Sequence, residues 1–136
     1  SGYRGVILGI GTDLVNIERI RKTLDRFGDR FEERVFSKLE IDRSRRRYDP
    51  SSSYAKRWAA KEACSKALGI GLRMGISWTE MHIVNLPSGK PELVIEGKAK
   101  AFLIAMTPKG YTPKINVSLT DDFPWAKATV IIEGIS

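Results

Sequence analysis

The chain has 136 residues, of which 42% are hydrophobic and 29% are charged. This length fits one domain, residues 1–136, and the composition excludes a disordered chain and favours a globular one. The net charge of +7 predicts an acidic partner; charge alone favours nucleic acid over an acidic protein or a phosphate-rich small molecule.

The sequence also lacks the residues that several classes of site require. Cys64 is the single cysteine, so no internal disulfide can form, and its alanine-rich surroundings predict a small buried side chain. His82 is the single histidine, which leaves no zinc site, and neither a Walker A pattern nor a Gly-x-Gly-x-x-Gly turn before a helix is present. No apolar run approaches the roughly 20 residues that span a bilayer. The first residues do not resemble a signal peptide, so we expect no membrane association and a cytoplasmic location.

The first part of the chain predicts one strand followed by a helix. Residues 5–11 form an apolar run closed by glycines, which predicts a buried strand with Asp13 at its end. Over residues 16–30 the spacing of apolar side chains predicts an amphipathic helix, begun by Asn16 as N-cap and ended by Gly28. This helix carries an apolar stripe of Ile17, Ile20, Leu24 and Phe27 and a separate basic stripe of Arg19, Lys22, Arg26 and Arg30.

The middle of the chain predicts two more helices. Residues 31–47 form a heavily charged helix that ends in an arginine-rich run. Residues 54–68 predict the strongest helix, because alanine is the best helix former, and Gly69 is expected to end it.

The second half predicts mostly strands. Residues 79–85 and 92–96 are expected to pair as a hairpin, and residues 98–106 to form a short helix. Residues 114–120 and 126–133 predict two further strands. The fold class is therefore α+β, with the helices mostly in the first half.

Glu62 is the first candidate for chemistry, because it lies among alanines in the helix predicted over residues 54–68. A carboxylate in such apolar surroundings is costly unless it is paired or bound to a cation. Lys66 follows four residues later, so a surface Glu–Lys helix pair is the simpler interpretation and is favoured on local grounds.

Asp13 is the second candidate, because it follows a Gly-Ile-Gly segment that another backbone can approach closely. A turn or helix-capping aspartate is an equally good interpretation. Two carboxylates from separate elements could together hold Mg²⁺, which takes one or two protein carboxylates and completes its shell with water and substrate phosphates.

Two basic features remain open on the residues alone. The basic stripe of the first helix is either a solvated face or a docking surface for an acidic partner, and neither is favoured. The run from Arg43 to Arg47 is a weak signal for nucleic acid, because no aromatic residues are interleaved with it.

Three segments occur in a characteristic order and spacing. They are Gly-Ile-Gly-Thr-Asp at residues 9–13, Arg-Trp-Ala-Ala-Lys-Glu-Ala-Cys-Ser-Lys-Ala at 57–67 and Gly-Lys-Pro at 89–91. With the ending at 117–120 and 126–132, they resemble bacterial holo-acyl-carrier-protein synthases, the small-subunit type of 4'-phosphopantetheinyl transferase. The resemblance covers nearly the whole chain and implies that fold: an antiparallel sheet packed with a long central helix.

The resemblance implies transfer of 4'-phosphopantetheine from coenzyme A to a serine of an acidic apo acyl carrier protein, with release of adenosine 3',5'-bisphosphate, in fatty acid biosynthesis. It implies that Asp13 and Glu62 are catalytic and hold Mg²⁺, and that Lys66 is the third catalytic residue. The coenzyme A contacts it implies are Arg57, Gly69, Gly71, Lys90, Pro91, Ser118 and Thr120. The carrier-protein contacts it implies are Arg19, Arg26, Arg30, Phe31 and Arg34.

The same resemblance implies a homotrimer with active sites between subunits, to which the strands at 114–133 would contribute. The sequence departs from the family at Asp121, where many members have a histidine, and the role of Asp121 stays open.

A nucleic-acid-binding module explains the charge but not the paired carboxylates or the glycine turns, so we expect no nucleic-acid partner. A transferase acting on a different carrier protein remains an alternative. A second alternative is an inactive member of the family that serves only as a binding subunit, but the intact Asp13, Glu62 and Lys66 disfavour it.

Overall fold

The two longest elements of the fold are an N-terminal strand of 12 residues and a helix of 18 residues. A computed structural model describes residues 4–70 and 75–136. In chain order its elements are strand β1 (Gly5–Asn16), helices α1 (Ile17–Phe27), α2 (Asp29–Val35), α3 (Lys38–Arg45) and α4 (Pro50–Ala67), a 3-10 helix (Trp78–Glu80), strands β2 (Met81–Asn85) and β3 (Pro91–Ile95), helix α5 (Gly97–Met106), and strands β4 (Thr112–Asp122) and β5 (Trp125–Ile135). The predicted α+β class is confirmed.

Two antiparallel sheets form around α4. The larger sheet has three strands in the order β1–β5–β4, and β2 and β3 pair as the predicted hairpin. Helix α4 packs against β1 and β5. The side chains of β5 that are fully buried alternate along the strand, as expected for a sheet with one covered face; they are Ala126, Ala128, Val130 and Ile132.

Glycines in β1 let α4 lie directly on the strand. A Cβ added to Gly11 would come within 1.9 Å of the Ala63 backbone oxygen, and one added to Gly9 within 2.1 Å of the Ala67 oxygen. Ala63 is itself fully buried. The Gly-x-Gly segment and the small residues of α4 therefore set a backbone-to-backbone contact that no larger residue in β1 allows.

Strand β1 is longer than the sequence analysis predicts. The strand expected over residues 5–11 continues to Asn16, so the prediction that Asp13 lies at the end of the strand is wrong. Asp13 pairs with Ala128 inside the sheet. The strand continues because residues beyond the glycines keep the period-two pattern of burial, with Leu14 exposed and Val15 buried.

The helix boundaries differ most around residues 28–37. Asn16 caps α1 and Gly28, with φ 53°, follows its last residue, as predicted, so Arg30 of the predicted basic stripe belongs to the next helix, α2. The single helix predicted over residues 31–47 is two helices, α2 and α3. Ser37 separates them, because its side chain accepts from the Glu40 backbone N–H while the Glu40 carboxylate accepts from the Ser37 N–H.

The single cysteine and the single histidine both lie mostly inside the fold. Cys64 is fully buried, as predicted, and burial raises the pKa of its thiol to about 12. His82 lies in β2, and 12% of its side chain is exposed. Within residues 4–70 and 75–136, no helix has both the length and the apolar character needed to cross a bilayer.

Candidate active site

Asp13, Glu62 and Lys66 come together where β1 meets α4. The ammonium of Lys66 donates to Asp13 Oδ1 and to the backbone oxygen of Thr12, each at 3.0 Å. In the described part of the chain Lys66 forms its ion pair with Asp13 and not with Glu62. The prediction of a surface ion pair between Glu62 and Lys66 is therefore wrong. Lys66 instead links α4 to β1.

The two carboxyl groups of this site lie next to each other in a partly buried place. The pKa of the Glu62 carboxyl is raised to about 7, first by burial and then by the neighbouring Asp13 carboxyl, while Lys66 opposes the rise. The Asp13 side chain is only 11% exposed, and its Oδ2 is buried without a hydrogen-bond partner in the described structure. Such a pair needs a shared proton or a cation to be stable.

This arrangement matches the ligand chemistry of a hard divalent cation. An unpartnered carboxylate oxygen beside a second carboxylate supplies the one or two protein ligands that Mg²⁺ takes, with water and phosphate completing its shell. Over residues 4–70 and 75–136, no group of three or more His, Cys, Asp and Glu residues could hold a metal ion. The donor set fits Mg²⁺ better than a metal that needs a full cage of protein ligands.

An open cavity of about 450 Å³ leads to the two carboxylates. Its wall includes Asp13 and Glu62 together with Arg19, Phe31 and Trp58. Arg19 and Phe31 are two of the residues predicted to contact a carrier protein. A partner docked on them would therefore lie at the entrance of the carboxylate site.

The predicted carrier-protein residues lie on two helices instead of one. Arg19 and Arg26 are on α1, whereas Arg30, Phe31 and Arg34 are on α2 beyond the Gly28 break. Phe31, Arg30 and Arg34 line a second hollow of about 280 Å³ that shares Phe31 with the carboxylate cavity. Within the described residues none of the four arginines forms an ion pair, so their charges are available to an acidic partner; the four are Arg19, Arg26, Arg30 and Arg34.

Arg57 lies in a separate basic cleft. Its guanidinium is held by Ser53 Oγ and Asn85 Oδ1, both at 2.8 Å. Burial lowers the pKa of Arg57, and the neighbouring arginines act in the same direction, although Glu40 opposes them. The cleft has a volume of about 240 Å³, and its lining includes Arg43, Arg47, Lys56, Arg57, Gly89 and Pro91. A cluster of this charge is suited to a phosphate group.

Part of this cleft was not predicted from the sequence. Arg43 and Arg47 were considered only as a weak nucleic-acid signal, whereas Lys56 and Asn85 were not singled out. The signal available was an arginine-rich run within fourteen residues of Arg57. What the sequence could not supply was the position of Asn85, which the β2–β3 hairpin brings to the helix.

The other predicted coenzyme A residues are dispersed in a single chain. Lys90 lines a different hollow between β3 and β4. Ser118 and Thr120 alternate along β4 with Leu119, and it is Leu119 that lines the Arg57 cleft. Gly69, with φ 69°, follows the end of α4 as predicted. Gly71 lies outside the described residues.

Asp121 faces a neighbouring part of the basic region. It forms an ion pair with Lys56 at 3.1 Å and accepts a hydrogen bond from Ser52 at 2.9 Å. These contacts lower the pKa of the Asp121 carboxyl, although burial, the largest single effect, opposes them. Its carboxylate therefore orients a lysine beside the arginines.

The carboxylate site and the basic cleft lie on different sides of α4. Glu62 follows Arg57 by five residues, which corresponds to a rotation of about 140° around a helix. The two cavities share no lining residue. One chain therefore presents the carboxylate site and the basic cleft on different sides of the same helix.

The raised pKa of Glu62 predicts how the stability of the metal-free protein varies with pH. Its folded-state pKa of about 7 exceeds the ordinary value of 4.5, so its stabilising contribution is complete below pH 4.5 and is lost as the pH rises through 7. Relative to Glu62→Gln, the wild type should lose about 1 kcal/mol over this range, a figure reduced for solvent screening. Urea unfolding of both proteins across this pH range checks this, and a constant difference would contradict it.

A match to a known protein family shows which superfamily the chain belongs to. The family described as the 4'-phosphopantetheinyl transferase superfamily matches residues 9–125. Since this match covers most of the chain, the chain belongs to that superfamily. The resemblance inferred from the three sequence segments is thus confirmed.

Within this superfamily, the chain is similar to holo-[acyl-carrier-protein] synthases. The chain is 60% identical over 130 residues to a holo-[acyl-carrier-protein] synthase of Roseobacter denitrificans, covering 96% of this chain and 97% of the relative. It is 62% identical over 129 residues to one from Cereibacter sphaeroides, covering 95% of this chain and 94% of the relative.

Solved structures agree with this placement. The holo-[acyl-carrier-protein] synthase of Neisseria meningitidis matches with a TM-score of 0.78 and 32% identity, covering 93% of this chain and 98% of that one. The Helicobacter pylori synthase in complex with coenzyme A matches with a TM-score of 0.76 and 32% identity, covering 90% and 98%.

Proposed function

We propose that this chain transfers 4'-phosphopantetheine from coenzyme A to a serine of apo acyl carrier protein, releasing adenosine 3',5'-bisphosphate, with Asp13, Glu62 and Lys66 as the catalytic residues. The reaction would serve fatty acid biosynthesis. The observation that carries the residue assignment is the buried, unpartnered Asp13 Oδ2 beside a Glu62 carboxyl with a pKa of about 7. The relatives' shared name and the coenzyme A bound in the Helicobacter pylori synthase support the reaction.

Asp13 and Glu62 are the residues that would hold Mg²⁺. When bound, the ion supplies neutralisation of the coenzyme A diphosphate. Glu62 accepts the proton of the attacking serine, directly or through an oriented water. Lys66, held by Asp13 and the Thr12 carbonyl, presents its positive charge to the leaving phosphate.

The basic cleft is the part of the site that we assign to a coenzyme A phosphate. Arg57 is already oriented by Ser53 and Asn85, so little freedom remains to be lost when an anion binds. Arg43 and Arg47 add charge on the same wall. Gly89 and Pro91, from the Gly-Lys-Pro segment predicted to contact coenzyme A, also line the cleft. Ser118, Thr120, Gly69, Gly71 and Lys90 remain predictions.

Because the carboxylate site and the basic cleft lie on different sides of α4 and share no lining residue, we propose that each active site combines the carboxylates of one subunit with the basic cleft of another. We call these two parts the half-sites. The outer face of the large sheet supplies an apolar surface for such an assembly, with Ile7, Ile10 and Leu14 each more than half exposed. The family resemblance favours a trimer.

Mixing two inactive variants tests this shared site. Glu62→Gln alone and Arg57→Glu alone should each be inactive, but co-expressed as mixed oligomers they should recover a measurable fraction of wild-type activity, because some interfaces then have both half-sites intact. Mixing each variant with itself is the control. No recovery in mixed oligomers of verified composition would mean that one chain holds the complete site.

Docking of the carrier protein gives another prediction. Arg26→Glu should raise the KM for carrier protein by about tenfold or more and leave the KM for coenzyme A within about twofold, because the arginine is exposed, lies away from the basic cleft and would now repel an acidic partner. Steady-state kinetics with each substrate varied in turn measure this. Lys109→Glu, the same charge reversal at an exposed lysine between α5 and β4, serves as the control. Equal effects of Arg26→Glu on both KM values would contradict docking on this surface.

The reaction itself is tested by mass spectrometry. Incubation with Mg²⁺, coenzyme A and an apo acyl carrier protein should add one phosphopantetheine to the carrier, and a carrier with its serine replaced by alanine should gain nothing. An unmodified carrier under these conditions, with several different carriers tried, would contradict the proposed function.

A further inference from the structure

The residue that precedes Glu62 forms a fully buried ion pair that the mechanism does not use. Lys61 is 0% exposed and Glu40, on α3, is 1% exposed. Lys61 Nζ lies 2.7 Å from Glu40 Oε1 and also donates to the backbone oxygens of Met81, at 2.5 Å, and Trp78, at 3.2 Å. All three ammonium protons therefore have an acceptor.

Glu40 is equally well satisfied. Its Oε1 accepts from the Ser37 backbone N–H and its Oε2 from the Ile83 backbone N–H, both at 2.9 Å. The pair thus connects four elements: α3 through Glu40, α4 through Lys61, the 3-10 helix through Trp78, and β2 through Met81 and Ile83. Fully hydrogen-bonded ion pairs of this kind fix one geometry.

Stability alone does not explain such a pair. Removing two charges from water is costly, and apolar residues of similar volume often give an equally stable or more stable fold. What an ion pair with directed hydrogen bonds adds is a defined orientation of the elements that it joins. The element of interest here is α4, because Glu62 is the next residue along it.

The geometry of α4 makes this orientation relevant to the active site. Consecutive residues project about 100° apart around a helix, so fixing Lys61 fixes the direction of Glu62. On another side of α4, Gly9 and Gly11 hold the helix backbone directly against β1, the strand that carries Asp13. Between these two contacts α4 has little freedom to rotate or slide.

We propose that the Lys61–Glu40 pair is a positioning device that sets the rotation of α4 and thereby holds Glu62 against Asp13. The inference rests on the proposed function, since it concerns the geometry of the same carboxylate site. A displacement of about 1 Å at a reacting group can cost about a hundredfold in rate. Partners that orient a metal-binding residue commonly contribute ten- to hundredfold in affinity, so we expect about tenfold here.

The test uses the full chain with both charges removed. In Lys61→Met/Glu40→Gln, kcat should fall about tenfold or more while the KM values for coenzyme A and carrier protein stay within about twofold. The dissociation constant for Mn²⁺, titrated as a spin probe without substrates, should rise about tenfold. A folded double variant with kcat and Mn²⁺ affinity within about twofold of wild type would overturn the proposal.

Two further variants keep the test decisive. Glu40→Asp retains the charge but shortens the side chain, so it should fold and should weaken both kcat and Mn²⁺ binding; unchanged values would also overturn the proposal. Leu103→Ala, a buried change in α5, controls for general loss of stability. It should leave both readouts unchanged, and an equal loss there would contradict a specific positioning role. Failure of wild-type transfer would overturn the proposed function instead, whereas Mn²⁺ binding tests positioning by itself.

Discussion

Glu62→Gln is expected to reduce turnover by about 10³-fold or more while leaving the fold intact. The amide has nearly the same shape as the carboxyl group, but it has no negative charge for a cation and cannot accept the serine proton. Loss of a general base costs about 10²–10⁴-fold, and loss of a cation ligand adds to this. Because Glu62 is partly buried beside Asp13, removing its charge should not destabilise the metal-free protein at neutral pH.

Single-turnover measurements with saturating coenzyme A and carrier protein give this effect directly. Asp42→Asn is the matched control, because Asp42 pairs with Lys38 on the surface of α3 at 3.5 Å and should be replaceable without effect. Wild-type turnover in Glu62→Gln would remove the basis for the metal and catalytic assignments.

Gly11→Ala is expected to have the largest effect on stability. The added Cβ would lie 1.9 Å from the Ala63 backbone oxygen and 2.9 Å from the Ala67 backbone nitrogen, and backbone atoms inside a helix cannot move aside as a flexible side chain does. Overpacking of this kind costs about 3 kcal/mol or more. The helix must move away from β1, which would also separate Glu62 from Asp13.

Urea unfolding compares this variant with Gly134→Ala on the adjacent strand β5. There the new Cβ would meet side-chain atoms of Leu8 and Tyr111 at 3.2–3.4 Å, which can move by a few tenths of an ångström. We expect a loss of about 1 kcal/mol or less at Gly134. Equal unfolding midpoints for the two variants would contradict the backbone contact between α4 and β1.

Local sequence signals predicted much of the fold because they depend on neighbouring residues. Asn16 as a helix cap, Gly28 and Gly69 as helix ends, and the β2–β3 hairpin all follow from residues close in the chain. The break at Ser37 was missed, although Ser37 and Glu40 form a capping box that the sequence alone contains. The end of β1 was misjudged because the glycines were interpreted as a stop, when they instead allow helix packing.

The candidate site was predictable only in part. Asp13, Glu62 and Lys66 were identified from the sequence segments, and the structure brings the three together. The Lys61–Glu40 pair joins residues 21 apart, and the bond from Arg57 to Asn85 joins residues 28 apart. Such contacts depend on how α3, α4 and β2 pack, which no local pattern encodes. Ser118 and Thr120 remain predictions, because in this chain it is Leu119, between them, that lines the Arg57 cleft.

A crystal structure with coenzyme A and Mg²⁺ would show whether Asp13 and Glu62 hold the ion over the diphosphate. We expect one ion about 2.0–2.1 Å from a carboxylate oxygen of Asp13, from one of Glu62 and from an oxygen of the coenzyme A diphosphate. A fully occupied cofactor whose diphosphate lies elsewhere, or an ion that contacts neither carboxylate, would contradict it.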